Sequence, residues 1–215
     1  VENLRFEYAN MITNQFYLLN LKEADFEGDF SESEYQLKAR SDLYVTKLKT
    51  NSFSLIKNKN AHLDLALNIN TKEKTYTFKQ GDLKIEKMPF HITGLIDSSN
   101  IDLQLKGDNI ELDELSKTIL NNSVEASKNY EGFGTVNFLA SINGPLSNSE
   151  MPSITADFSV KNGKVKQLET NLSLTQINLT GRYQNKPKNR IELLEVSNVS
   201  LVLLDSKFMG KTKIS

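Results

Sequence analysis

The dominant signal along the chain is alternation of apolar and polar residues with a period of two, the mark of a strand with one buried face. Ala61-His62-Leu63-Asp64-Leu65-Ala66-Leu67-Asn68-Ile69 sets five apolar residues on one side, with His62, Asp64 and Asn68 on the other. Ile101-Asp102-Leu103-Gln104-Leu105-Lys106 repeats the pattern, and Val136–Ile142 and Ile154–Val160 follow it. Weaker versions occur at Tyr35–Ala39, Leu43–Leu48, Leu83–Ile85, Phe90–Ile92, Leu172–Leu179, Ile191–Leu204 and Phe208–Ile214. Within Leu172–Leu179 the apolar parity changes between Leu174 and Ile177, which predicts a β-bulge near Gln176.

Turn signals divide these runs. An apolar-polar-Gly triplet recurs at Ile92-Thr93-Gly94, Leu105-Lys106-Gly107, Ile142-Asn143-Gly144 and Leu179-Thr180-Gly181, so the glycines are predicted to end strands. Asn162-Gly163 between two alternating runs predicts a tight hairpin turn. Asp97–Asn100 and Asn185–Asn189 read as polar hairpin loops. Connections this short favour a meandering antiparallel sheet over parallel crossovers. One segment departs from period two: Leu112, Leu115 and Ile119 lie at helical spacing within Leu112–Leu120. The expected fold is mainly β, with one short helix near 112–120. A first sheet half would span 1–120 and a second 132–215, joined by a connector at 121–131 and continuous in one sheet.

Composition narrows the functional classes. The 215 residues suffice to bury a core, and 38% hydrophobic with 25% charged residues marks a folded chain. Lys and Arg number 26 against 27 Asp and Glu, a balance without the basic face that nucleic acid requires. No polybasic run addresses anionic headgroups. There is no cysteine, which removes disulfides, zinc-thiolate sites and thiol nucleophiles together. No run approaches the roughly 18 apolar residues of a membrane span, and no signal peptide opens the chain. Both ends read as cut from something longer, which would place any membrane anchor outside this stretch.

Catalytic and metal chemistry find no foothold, and neither an enzymatic activity nor a cofactor is expected. The two histidines, His62 and His91, occupy strand positions without a second ligand at metal-binding spacing. No G-x-S-x-G elbow, P-loop or G-x-G-x-x-G is present, and Gly132-Phe133-Gly134 reads as a turn before a strand. Asp108, Glu111, Asp113 and Glu114 cluster near the predicted helix start, where carboxylates complement the helix dipole. With Trp absent, a stacking platform for sugars is disfavoured. The apolar stripe itself has two readings. Ordinary core would be covered by a second layer; an open face would receive acyl chains, and periodicity alone does not separate them.

The chain resembles the AsmA family of bacterial envelope proteins in its Bacteroidetes-type form. The resemblance begins at Tyr17-Leu18-Leu19-Asn20-Leu21 with Gly28-Asp29-Phe30-Ser31, and continues through Thr75–Ile85 and Met88-Pro89-Phe90-His91-Ile92-Thr93-Gly94. Ile101–Leu115 is similar to the strand-Gly-helix unit that recurs in the family, and Ile142–Pro145, Met151–Phe158 and Lys161–Val165 also fit. The resemblance implies an elongated, curved sheet of repeating β-groove type, tethered to the inner membrane and extending into the periplasm. It implies a role in outer-membrane biogenesis through phospholipid transport, with no catalytic residues. Acyl chains would lie along Leu63, Leu65, Leu67, Leu83, Ile85, Phe90, Ile92, Ile101, Leu103 and Leu105, next to neighbouring repeats of the longer protein. The alternative is a structural or adhesive β-domain with a closed core that mediates protein contacts, for which an open sheet edge would serve.

Overall fold

The computed structural model describes residues 2–12, 14–28, 33–50, 53–119, 129–146, 150–186 and 191–214. Seven strands come first: β1 (Glu2–Asn10), β2 (Gln15–Gly28), β3 (Glu34–Thr50), β4 (Phe53–Asn70), β5 (Thr75–Ile85), β6 (Met88–Ile96) and β7 (Asn100–Glu111). The helix α1 (Leu112–Ile119) follows, then β8 (Tyr130–Pro145), β9 (Ser153–Gln167), β10 (Ser173–Lys186), β11 (Ile191–Leu203) and β12 (Ser206–Ile214). These strands form one antiparallel sheet in the order β1 to β12, so the expected mainly-β meander with a single short helix is what the chain adopts. The sheet is not closed on itself. Among the described residues no helix is long and apolar enough to cross a membrane.

Packing groups the chain into two compact units, residues 1–105 with 141–153, and residues 106–140 with 154–215. These are not the contiguous halves 1–120 and 132–215 expected from the sequence. A hairpin brings the chain back to where it set out: the Leu146 amide donates to the Ser99 carbonyl at 2.7 Å, which ties the end of β8 to the start of β7. Of the expected connector, 121–128 lie outside the described residues, while Tyr130 and Glu131 already belong to β8. Residues 29–31, quoted above for the resemblance, and 187–189 of the second polar loop also lie outside them.

Local chemistry explains the turns. Asp97 Oδ1 accepts the amides of Ser99 and Asn100, each at 2.7 Å, and this Asx turn joins β6 to β7 as the polar segment predicted. Leu204 and Asp205 both take positive φ, 47° and 65°, the two-residue geometry that matches strand twist between β11 and β12. β1 was not foreseen, although Leu4, Phe6 and Tyr8 alternate and pair with Leu21, Leu19 and Tyr17.

One turn expected from the sequence is a bulge instead. Asn162-Gly163 is no hairpin turn; it lies inside β9, because the apolar runs on both sides of it pair with the same strand, β10. Asn162 takes φ 50° and its amide donates to Asn178 Oδ1 at 3.1 Å, while Gly163 opposes Ile177 across a register shift. Asparagine tolerates the left-handed region, so the pair serves a bulge rather than a turn. Gln176, at φ 51°, sits at the shift predicted near it. Asn109 in β7 and Asn198 in β11 take φ 52° and 51°, and the Asn109 amide donates to Asn137 Oδ1 at 2.8 Å. At each bulge the apolar parity slips by one, as from Val160 to Gly163 and from Val196 to Val199. The extra residue restores a common face that strict alternation would lose.

Of the four glycines expected to end strands, Gly94 and Gly144 lie within the last three residues of β6 and β8, but the other two do not. Gly107 and Gly181 are interior to β7 and β10, and each is covered by an aromatic ring. A Cβ at Gly181 would stand 2.2 Å from Phe158 Cζ, its direct cross-strand partner's ring, and one at Gly107 would stand 2.5 Å from the Phe138 ring. The missing side chain is the space into which phenylalanine lies.

Candidate functional site

In the first unit, strand register assembles the apolar residues into rows. Ser41, Leu63, Leu83 and Phe90 oppose one another across β3 to β6, and Leu43, Ala61, Ile85 and Met88 form the adjoining row. On the other side Ala39, Leu65 and Gly81 align; a Cβ on Gly81 would meet Ile92 Cβ at 3.0 Å and Leu65 Cδ2 at 3.3 Å. Leu37, Leu67 and Phe78 then face Gly94. Leu63, Leu65, Leu67, Leu83, Ile85, Phe90 and Ile92 therefore share one surface. On β7, Ile101, Leu103 and Leu105 are half-buried while Asp102, Gln104 and Lys106 are exposed, so all three fall on a single side of that strand.

Burial separates these positions. Ile85 and Phe90 are core residues at 6% and 7% exposure. The other eight candidates are half-buried. Among the described residues the first unit consists of strands of one sheet, with no helix and no second sheet. Sequence reasoning left out Leu37, Ala39, Leu43, Ala61, Phe78 and Met88, which belong to the same surface. Their alternation was visible, but which strands would become neighbours was not.

The reverse side of β3 to β6 is a charge ladder. Arg40 Nε donates to Asp64 at 3.0 Å, and Asp64 opposes Asp82 across β4 and β5. Asp82 is in turn bound to Gln80 at 2.8 Å and His91 at 2.5 Å. The hydrogen bond from Gln80, and after it the contact with His91, hold the Asp82 carboxyl below the usual aspartate range. His62 pairs with Asp42 at 2.7 Å one rung further along. Both histidines thus lie on the polar face in carboxylate pairs. Like charges at Asp64 and Asp82 are tolerable because each has its own partner.

The second unit builds its polar face in the same way. Arg182 grips Asp157 through two nitrogens at 2.6 and 2.9 Å, lowering the pKa of that carboxyl, and Glu195 pairs with Lys213 at 2.7 Å. The acidic cluster at the helix start is divided among local cations: Asp108 pairs with Lys106 at 2.6 Å and Asp113 with Lys117 at 2.5 Å. Gly132, Phe133 and Gly134 lie within β8 rather than in a turn before it. Among the described residues no group of three His, Cys, Asp or Glu is placed to hold a metal. Three depressions on the surface of the described residues are lined by none of the ten candidate residues.

Compared with protein-family models, with curated proteins and with solved structures, the chain matches none.

Proposed function

We propose that this chain is a non-enzymatic domain that binds or conducts phospholipid acyl chains along the apolar face of its sheet, in the periplasm, as part of a longer inner-membrane-tethered AsmA-like protein serving outer-membrane biogenesis. The observation that carries the reading is the half-buried apolar surface of the first unit, with polar ion-pair ladders on its reverse side. A strand surface of this kind offers continuous methyl and methylene contact without hydrogen-bonding demands. Each acyl methylene removed from water contributes about 0.8 kcal/mol, so a chain is retained without specific polar contacts. Movement along the face then requires no chemistry, only exchange of one row of apolar neighbours for the next.

The test is lipid content and uptake. Protein purified without detergent should carry phospholipid detectable by mass spectrometry and should take up a fluorescent phospholipid. Leu103→Asp should cut that uptake, whereas Gln104→Asp, on the exposed side of the same strand, should leave it intact. Equal behaviour of the two variants, both verified as folded by circular dichroism, would sink the proposal. The structural or adhesive reading is favoured by one observation, the open edges of the sheet at β1 and β12. It expects no bound lipid and a protein partner that protects β1 or β12 amides from hydrogen exchange.

A further inference from the structure

At one end of the first unit the β1–β2 turn projects two large apolar side chains into solvent, Met11 at 91% and Ile12 at 77% exposure. Cations gather beside them. Phe16 opposes Lys49 and Leu18 opposes Lys47 across β2 and β3, and Lys47 directly opposes Lys57 across β3 and β4. The Lys47 ammonium lies 5.4 Å from the Phe16 ring centre, and Lys49 Nζ donates to Asn14 Oδ1 at 3.0 Å. Segments 8–22 and 44–60 together contain Lys22, Lys47, Lys49, Lys57 and Lys59 but no Asp, Glu or Arg. Among the described residues no carboxylate pairs with Lys47, Lys49 or Lys57; Glu7, opposite Leu18 on β1, is engaged by Arg5 at 2.8 Å. Like charges directly opposite one another weaken a sheet, so the facing Lys47 and Lys57 are costly unless an anion answers them.

We infer that this end of the sheet docks onto an anionic bilayer surface, with Met11 and Ile12 entering the headgroup–acyl boundary and Lys47, Lys49 and Lys57 resting on lipid phosphates. Charge complementarity selects the partner's sign. The two apolar residues at the tip favour a bilayer over nucleic acid, whose backbone offers them nothing to enter. The inference is independent of lipid uptake by the apolar rows, because it requires none of their residues.

Vesicle flotation with the 215-residue chain tests it, using vesicles of phosphatidylglycerol and phosphatidylcholine in equal parts against phosphatidylcholine alone. The chain should float with the mixed vesicles and not with the neutral ones. A lysine near an anionic surface contributes about fivefold in partitioning, so the triple variant Lys47→Gln, Lys49→Gln, Lys57→Gln should lose roughly a hundredfold. Met11→Ser with Ile12→Ser should also lose binding, with all lysines kept. Lys72→Gln with Lys74→Gln, in the β4–β5 turn at the opposite end of β4, should change nothing. Flotation unaffected by the triple variant, an equal loss in the Lys72/Lys74 control, or tighter binding to a DNA duplex than to mixed vesicles would each overturn the inference. Leu103→Asp should still float, which keeps this result distinct from failure of the acyl-chain proposal.

Discussion

The two units reach the same surface, apolar on one side and laddered with ion pairs on the other, by different means. From β3 to β6 the apolar face rests mainly on alternation: Ala61 to Ile69 keeps one parity over nine residues and meets a matching run on β3, while β5 resets its parity once, between Phe78 and Gly81. In the second unit parity is reset at Asn109, Asn162, Gln176 and Asn198, and the face is kept by bulges and by phenylalanines laid over glycines. Burial follows the same division. Leu43, Val45, Ala61, Ile69, Ile85, Met88 and Phe90 are buried in the first unit, whereas Ile110 and Val136 are the buried hydrophobics described in the second. Longer runs of one register concentrate large side chains, while repeated bulges give positions over to turning the backbone.

That comparison can be broken most directly at the core. Phe90→Ala should cost about 3–5 kcal/mol in urea unfolding, the usual penalty for emptying a buried aromatic site. Phe208→Ala on β12, where the ring is 50% exposed, should cost under about 1 kcal/mol. Equal losses would mean that the units share their stability evenly. The glycines give the next largest effect. Gly94→Ala sets a Cβ 2.1 Å from the Asp102 carbonyl at φ 127°, so backbone must move, and roughly 2–3 kcal/mol should be lost. Gly181→Ala displaces a ring tip instead and should cost about 1 kcal/mol, read from the shift in unfolding midpoint.

The bulges sharpen the contrast at smaller scale. Asn178→Ala removes the acceptor of the Asn162 amide and should cost about 1 kcal/mol, with altered amide exchange at Asn162. Smallest is the effect of acid. Because the folded pKa of Asp157 lies below its unfolded value of 3.8, its contribution is present at neutral pH and is lost as pH falls through and below that value. The pair is half exposed, so the loss should stay under about 1 kcal/mol, and Asp157→Asn should abolish that part of the acid dependence.

The sequence displayed strand identity because a half-buried strand imposes its period on every second residue. The helix at Leu112–Ile119 was legible for the same reason at a different period. Leu63 to Leu67 and Leu83 could be named as sharing a surface, and they do. Asn162-Gly163 was misread because a left-handed asparagine serves a turn and a bulge equally, and only the pairing partner distinguishes them. Gly107 and Gly181 were misread because nothing local tells that a ring from the next strand will fill the space. The lysines at 47, 49 and 57 formed no run in the sequence, so their assembly beside Met11 and Ile12 was invisible there.

By itself the amino-acid sequence determined most of the strands, the one short helix, and which face of each long alternating run is apolar. Tertiary structure alone decided the row in which each side chain stands, the two packing units, and the placing of Lys47 directly opposite Lys57. The physical reason is that alternation is a local constraint read residue by residue. Register is fixed by bulges and by partners tens of residues away, and a shift of one residue carries every side chain to the other face.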